Sequence, residues 1–205
     1  MAEFARGALE ALREPLETGV ITVSRASRKI TYPARFQLVG TMNPCPCGFL
    51  GHPSRRCGCS QQQVTRYRGR ISGPLQDRID LTLDVPPLSA WEVRQNREGE
   101  SSATIRKRVG QALQRQKERQ GQPNARLSVD ALSRHVVLDD SSQDMLFRAA
   151  TRFSLSARAV HRILRVARTV ADLRGDACVS LADLAEALSY RGWACGGGQA
   201  GSLAF

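Results

Sequence analysis

The sequence predicts an α/β fold in its first half and an all-helical bundle in its second half. Apolar and polar residues alternate along 20–32, which is typical of a β-hairpin. A compact apolar run at 36–44 suits a strand of a parallel sheet that is buried on both faces. Four segments with helical periodicity follow between residues 124 and 190, joined by short loops. We therefore expect a small α/β core that precedes a helical bundle.

Composition limits the classes of function. The 205 residues include 30 Lys and Arg against 19 Asp and Glu, a formal net charge of +11. A balance of this sign favours polyanionic partners such as nucleic acid or nucleotide phosphates. The alternative at this point is a basic protein whose charge serves solubility alone. Aromatic residues make up 5% of the chain, which disfavours a surface built from stacked rings.

No apolar run suits a membrane. None approaches the ~18 to 20 apolar residues that a span requires, and the first twenty residues carry glutamates where a signal peptide has its apolar core. We therefore expect a cytoplasmic protein with no membrane partner.

The first ninety residues divide into short elements. Leucines recur at helical spacing within 5–18, which predicts a short amphipathic helix. Residues 61–70 have a weaker helical period, and 81–85 alternate as a second strand. The tip of the hairpin is basic, and it is either a solvated turn or a contact for phosphates. Its basic residues are Arg25, Arg28 and Lys29.

The double proline at 86 and 87 is the best candidate for a domain boundary. The bundle beyond it has clear helix signals, because Ser180 and Asp183 form a capping-box pattern and Gly175 is placed to end the third helix. The expected organisation is a core domain at 1–88, a helical linker at 89–122, a helical bundle at 123–190 and a disordered, glycine-rich tail at 191–205.

Four cysteines form two Cys-x-Cys pairs within the core. Cys45 and Cys47 are separated by nine residues with several turn formers from Cys57 and Cys59. Two thiolate pairs joined in this way can converge on one tetrahedral Zn²⁺, in the closed arrangement of a structural site. Two alternatives stay open, a redox or disulfide pair and free thiols. His52 is expected to face solvent instead of replacing a thiolate, and the distant Cys178 is expected to be buried.

Three polar side chains are candidates for chemistry on phosphates. Asn43 ends the apolar run at 36–44, Arg78 lies between two aspartates, and Arg158 follows Ser-Ala in the bundle. Taken singly, they are more often a turn former, a surface ion pair and an exposed helix residue. Together with the basic hairpin they supply what a ring-forming nucleotidase needs. An amide can orient the attacking water, and guanidinium groups can neutralise the transferring phosphoryl group, one of them from a neighbouring subunit.

The motifs resemble the carboxyl-terminal half of the ComM (YifB) family, which are magnesium-chelatase-like AAA+ ATPases. The resemblance covers residues 3–190 and rests on four stretches in order, EFARGALEALREPLETGVITVSRASRKITYPARFQLVGTMNPCPCG, CGCS, RISGPLQDRIDL and SLSARAVHRILRVARTVADLRG. The family implies a hexameric ATPase that acts on DNA, a helicase that promotes branch migration in natural transformation and recombination. Its cofactors would be ATP and Mg²⁺, and its partners DNA and further copies of itself in a homo-hexamer.

The resemblance also implies roles for individual residues. The hairpin at 20–32 matches the pre-sensor hairpin that faces the central pore, so its basic tip would contact DNA. Asn43 matches sensor 1, Arg78 the arginine finger, and Arg158 the sensor 2 arginine of the lid, which contacts ATP. The four cysteines match a family insertion of zinc-ribbon type. The core domain becomes the carboxyl-terminal part of an AAA+ core, and the bundle becomes its α-helical lid.

One departure from the family pattern affects activity. No segment reads G-x-x-x-x-G-K-[ST], the loop whose backbone and Lys hold the phosphates, and the acidic Mg²⁺-binding segment of the family is not present either. We therefore expect no ATP hydrolysis by this polypeptide alone. Residues 36–41 and 80–85 would also lack neighbouring strands and expose apolar surface.

Two other functions stay open. A magnesium chelatase motor subunit would use the same ATPase to drive metal insertion into a porphyrin, but it needs neither the basic hairpin nor the cysteines. A zinc-containing nucleic-acid-binding protein without enzymatic activity would bind DNA with a steep salt dependence and no nucleotide requirement.

Overall fold

A computed structural model describes residues 1–25, 28–88, 90–95 and 99–191. The chain divides into two compact units, the first covering Met1–Ile79 and the second beginning at Asp80. Beyond its first residue, the tail expected at 191–205 lies outside the described residues. Within the described ranges, no helix is both long and apolar enough to cross a membrane.

The first unit is built from short elements. They are α1 (Arg6–Ala11), α2 (Arg13–Thr18), β1 (Val20–Arg25), β2 (Arg28–Pro33), α3 (Gln61–Arg68) and α4 (Gly73–Gln76). The helix predicted at 5–18 is confirmed as two helices. They end at Gly19, whose φ of 71° is a left-handed conformation that glycine adopts without strain.

The predicted hairpin is confirmed. β1 and β2 pair antiparallel, with Ile21 opposite Tyr32 and Val23 opposite Ile30. These four side chains share one face because their positions differ by two along each strand. All four are more than 40% exposed. The hairpin therefore stands largely clear of the core of its unit.

The prediction of parallel strands at 36–44 and 80–85 is wrong. Among the described residues the sheet has two strands, β1 and β2, and they are antiparallel. A strand exists only when a neighbour pairs its backbone groups, and the described residues supply none to either run. The run at 80–85 is held differently, since the N–H of Thr82 donates to the carbonyl of Tyr190 at 2.8 Å. The fold is thus a mainly helical one with a small two-stranded sheet.

A small core holds the first unit. Leu9, Ile71 and Leu75 are buried together, and Met42 packs against them from the segment between the hairpin and the cysteines. α1 and α4 are thereby joined, and the residues next to Met42 are fixed at one point. Apolar residues further from this core stay exposed, as Val39 does by 81%.

The second unit is helical. Its elements are α5 (Ala90–Gln95), α6 (Ser102–Gln120), a 3₁₀ turn (Asn124–Arg126), α7 (Val129–His135), α8 (Asp140–Arg152), α9 (Ala157–Arg174) and α10 (Leu181–Ser189). α7 to α10 confirm the four predicted helices, and they share one apolar core. The capping box of Ser180 and Asp183 is present, and Gly175 ends α9 with a φ of 93°.

A buried polar network fastens α6 to α9. Its centre is Asp172, which is 1% exposed. Arg119 of α6 donates to both carboxylate oxygens, at 2.5 and 2.9 Å, and Asn124 donates to one of them at 2.8 Å. Arg168, fully buried one turn earlier in α9, donates to the other at 2.9 Å. The last turns of the segment expected as a linker at 89–122 thus belong to the second unit.

The network sets the charge state of Asp172. Burial acts to raise the pKa of this carboxyl group. Hydrogen bonds from Arg119 and Asn124 and the charges of Arg168 and Arg119 outweigh burial, so the pKa lies below its ordinary value. The carboxylate therefore stays ionised and compensates arginines that could not remain buried alone.

We predict that Asp172→Asn lowers the free energy of unfolding of the second unit by about 3–5 kcal/mol, because it leaves Arg168 buried without a counter-charge. Urea denaturation followed by helical circular dichroism measures the loss. Asp144→Asn removes an exposed carboxylate of α8 and is the matched control, with a change within about 0.5 kcal/mol. A loss from Asp172→Asn no larger than that of the control would contradict the prediction.

The same variants give a pH test. Because the folded pKa of Asp172 is depressed, its contribution is fully present above about pH 4, the ordinary value of the unfolded chain, and is lost as the pH falls through the folded value. On acidification the wild-type chain should therefore lose more unfolding free energy than Asp172→Asn does.

Candidate functional site

The four cysteines predicted to bind metal come together. The Sγ atoms of Cys45, Cys47, Cys57 and Cys59 all lie within 4.8 Å of one another. The Sγ atom of Cys45 lies 3.4 Å from that of Cys47 and 3.7 Å from that of Cys57, and the latter two are 3.6 Å apart. A zinc ion with four sulfurs at about 2.3 Å requires tetrahedral edges of about 3.8 Å. These residues therefore fit zinc.

The thiols are not joined as disulfides. Disulfide sulfurs lie about 2.05 Å apart, and each of the four cysteines is free. The structure therefore does not contain the disulfide that the redox alternative requires. Whether the four thiols are metal ligands or free thiols is decided by a measurement of metal binding. Cys178 was expected to be buried and is exposed instead, because it lies in the short connection after α9.

Local turns create this cluster. The N–H of Gly48 donates to the carbonyl of Cys45 at 3.0 Å, and Gly48 has a φ of 80°, so the chain reverses directly after the first pair. Within the following loop, the Nδ1 atom of His52 accepts from the N–H of Ser54 at 3.2 Å and of Arg55 at 3.1 Å. His52 is therefore engaged within its own turn and does not belong to the cluster.

The pKa values of Cys47 and Cys59 are shifted in opposite directions. The backbone N–H of Phe49, followed by the thiol of Cys45, lowers the pKa of Cys47 to about 6. For Cys59 the backbone N–H of Cys47 acts to lower the pKa, but the hydrogen bond with the Cys47 sulfur and burial raise it to about 12. A metal ion that binds all four sulfurs must therefore displace protons, that of Cys59 among them.

Asn43 lies beside this cluster, two residues before Cys45. It lines a cavity of about 220 Å³ together with residues of the amino-terminal segment and of α3, among them Glu3 and Tyr67. Burial raises the pKa of Tyr67, the Glu3 carboxylate adds to the rise, and the backbone N–H of Asn43 acts against it. The cavity therefore places an exposed amide next to a buried phenol.

Sequence reasoning missed Tyr67 as a neighbour of Asn43. The available signal was the helical period of α3, which puts Val64 and Tyr67 on one buried face. α3 begins two residues after Cys59, and a hydrogen bond from Arg68 to the carbonyl of Pro44 brings its end back to the first cysteine pair. The periodicity alone indicated that Tyr67 is buried, but it did not indicate which residue Tyr67 contacts.

Arg78 is held inside the first unit. Its Nε atom lies 3.2 Å from an Oε atom of Glu17, and one Nη atom donates to the carbonyl of Pro74 at 2.7 Å. The side chain is 11% exposed. Arg78 is not among the residues that line the cavity beside Asn43. No pattern in the sequence indicated that the carboxylate of Glu17 neutralises this guanidinium.

Arg158 belongs to the second unit. It is the second residue of α9 and is exposed. The role predicted for it beside Asn43 and Arg78 around one nucleotide stays a prediction.

The basic tip of the hairpin is exposed. Arg25 and Arg28 are paired across β1 and β2, and Lys29 is paired with Ser24. All three basic side chains are exposed. The end of β1 and the start of β2 thus present three positive charges.

Comparison with known proteins defines the class to which these units belong. The family model for magnesium chelatase, subunit ChlI, matches residues 1–93, and the model for the C-terminal part of the same subunit matches residues 99–191. The chain is therefore a magnesium-chelatase-like protein of AAA+ type.

Individual relatives narrow the class. The chain is 45% identical over 192 residues to the competence protein ComM of Haemophilus influenzae, and 45% identical over 193 residues to the uncharacterized protein YifB of Salmonella typhimurium. An uncharacterized protein of Mycobacterium tuberculosis is 40% identical over 194 residues. Each match covers 93% of this chain and 37–38% of the relative. The chain belongs to the ComM (YifB) family, and it spans little more than a third of the length of these relatives.

We predict that the chain binds one zinc ion through the four thiolates, and that Cys45→Ser weakens binding by at least about 10 to 100-fold. Competition with a chromophoric chelator measures the affinity. Cys178→Ser changes an exposed cysteine outside the cluster and should leave the affinity unchanged. The affinity should rise with pH, because thiols release protons when they bind the metal. Purified protein with zinc well below one equivalent, and no uptake on titration, would contradict the site.

Proposed function

We propose that this chain is part of a hexameric AAA+ ATPase that acts on DNA, as a helicase that promotes branch migration in natural transformation and recombination. The observation that carries the proposal is the hairpin, which stands largely exposed and ends in three basic residues. A protruding basic ribbon can enter a groove or track a phosphate backbone. The competence protein among the relatives supports the biological setting.

The nucleotide roles follow from the same proposal. Asn43 orients the attacking water as sensor 1, Arg158 contacts ATP from the lid as sensor 2, and Arg78 neutralises the transferring phosphoryl group bound by a neighbouring subunit. The 205 residues contain no G-x-x-x-x-G-K-[ST] loop. Binding of Mg²⁺ and of the β and γ phosphates is thus assigned to polypeptide other than this chain. The chain alone should not hydrolyse ATP.

The pair formed by Arg78 and Glu17 gives this proposal a specific requirement. An arginine finger must reach a phosphate across a subunit boundary, and Arg78 is 11% exposed and paired within its own unit. Its Nε atom must therefore exchange the Glu17 carboxylate for phosphate oxygens. The γ-phosphoryl group carries more negative charge than one carboxylate, so the exchange is electrostatically favourable.

We predict that Arg78→Ala, in a polypeptide that also carries the phosphate-binding loop of the family, lowers the turnover of ATP by about 10³ to 10⁵-fold and leaves nucleotide affinity nearly unchanged. The physical reason is that an arginine finger acts on the transition state. Steady-state hydrolysis and binding of a fluorescent nucleotide separate the two effects. Arg66→Ala, which removes an exposed arginine of α3, is the control. Unchanged turnover in Arg78→Ala would remove the finger assignment.

We predict that the 205-residue chain binds DNA through the hairpin tip. Replacing Arg25, Arg28 and Lys29 by Ala should weaken binding and reduce the slope of log K against log salt by about 2 to 3, because three phosphate contacts are lost. Fluorescence anisotropy with a labelled duplex, at several salt concentrations, measures both quantities.

The chain offers a matched control for this test. Arg106, Lys107 and Arg108 of α6 are also two arginines and a lysine, all exposed, and replacing them by Ala removes the same charge. The α6 variant should keep the wild-type slope. An equal loss in both variants would show that net charge alone drives binding, which would contradict a specific role of the hairpin.

The same measurements separate the alternatives. A magnesium chelatase motor subunit predicts weak DNA binding that the hairpin variant does not alter. A zinc-containing nucleic-acid-binding protein without enzymatic activity predicts binding by the hairpin, together with no ATP turnover even when the phosphate-binding loop is supplied.

A further inference from the structure

The cysteine cluster and Asn43 are connected along the backbone. One residue, Pro44, separates Asn43 from Cys45, and the proline ring fixes its φ near −65°. Cys45 is fully buried, unlike the other three cysteines. The position of Asn43 is thus restricted by the buried Cys45, because the one residue between them, Pro44, has a fixed φ angle.

A second connection runs through α3. Ser60, directly after Cys59, caps this helix through a capping box with Gln63, whose N–H donates to the Ser60 Oγ atom at 3.2 Å while its side chain accepts from the Ser60 N–H at 2.8 Å. The start of α3 is therefore fixed immediately after the second cysteine pair. An eight-residue helix carries this constraint over about 12 Å.

The far end of α3 returns to the residues beside Asn43. The Nε atom of Arg68 donates to the carbonyl of Pro44 at 3.1 Å, a contact across 24 positions of sequence. Tyr67, one residue earlier, is 7% exposed and lines the cavity that Asn43 also lines. Cluster, helix and the Asn43 segment thus form a closed ring of covalent bonds and contacts.

We propose that a metal ion bound by the four thiolates sets the position of Asn43 through α3, with Tyr67 and Arg68 as positioning residues. The proposal rests on the proposed function in that the sensor role of Asn43 is assigned there. Without metal the two cysteine pairs are joined only by the loop between them and by contacts of their sulfurs, so the ring is held less tightly at this point. The readiness of Asn43 to meet a nucleotide thereby depends on metal occupancy.

Thermodynamic linkage makes this coupling measurable without nucleotide. If metal binding stabilises the contact of Arg68 with Pro44, that contact must strengthen metal binding by the same factor. Arg68→Met removes the contact and keeps an apolar stem. Changes outside the ligand shell of metal sites cost about 10 to 100-fold in affinity. We expect the dissociation constant for zinc to rise by about tenfold in Arg68→Met, measured by chelator competition.

The control lies on the same helix. Arg66→Met removes the same charge from an exposed position of α3 and should change the zinc affinity by less than about twofold. Equal affinities in the two variants would overturn the coupling.

A second measurement uses the wild-type chain. Amide hydrogen exchange is followed with and without zinc at a concentration about 100-fold above its dissociation constant. We expect zinc to slow exchange by up to about 100-fold at residues 41–43 and in α3, as well as in the loop at 45–59. β1 and β2, which stand largely clear of the core of the unit, should change less than residues 41–43 and α3. Protection confined to 45–59 would overturn the proposal.

Failure of this inference and failure of the proposed function are distinguishable. Neither measurement contains nucleotide or DNA. Zinc-dependent protection of residues 41–43 in a chain that binds no DNA would leave the coupling in place and refute the proposed function. DNA binding through the hairpin, with no effect of zinc beyond the loop, would do the reverse.

Discussion

Two thiol pairs that converge on one point constrain the first unit together with a small apolar core. Among the described residues that core has three buried members, Leu9, Ile71 and Leu75, with four partly buried side chains packed against them, and so small a core provides marginal stability by itself. The reversal of the chain at Gly48 allows this convergence, which in turn places the start of α3 beside the residues that follow Asn43. A metal ion bound in this position would contribute to the folding free energy directly, because an assembled tetrahedral site is absent from the unfolded chain.

The second unit is stabilised in addition to its apolar core by a buried charged network. Asp172 is surrounded by Arg119, Arg168 and Asn124, and every one of these groups would be costly to bury without the others. The network joins α6 and α9 near the end of α9, while Arg158 stands at its beginning, about 21 Å away along the helix axis. The network therefore fixes the position of α6 against the last turns of α9, at the opposite end of the helix from Arg158.

Local and non-local features differ in how well the sequence predicts them. The helices and their caps follow from residues within one turn of each other, as Ser180 and Asp183 show, and the cysteine cluster follows from thiol chemistry and short spacing. The prediction of strands at 36–44 and 80–85 was wrong because an apolar run becomes a strand only when a neighbouring strand pairs with it. The i,i+4 pair of Arg168 and Asp172 reads as an ordinary surface pair, and its burial depends on Arg119, 53 positions away.

The ion pair of Glu17 with Arg78 joins the helix that precedes the hairpin to the arginine that we propose as the finger. Glu17 is two residues from Gly19, whose carbonyl accepts from the N–H of Ala34 at 2.8 Å and closes the base of the hairpin. The hydroxyl of Thr18 also lies 3.1 Å from the carbonyl of Val20, so the end of α2 and the start of β1 are fastened together. The carboxylate that pairs with Arg78 therefore lies on the helix that leads directly into the hairpin. The ion pair is thus the contact by which the first unit joins Arg78 to the residues at the base of the hairpin.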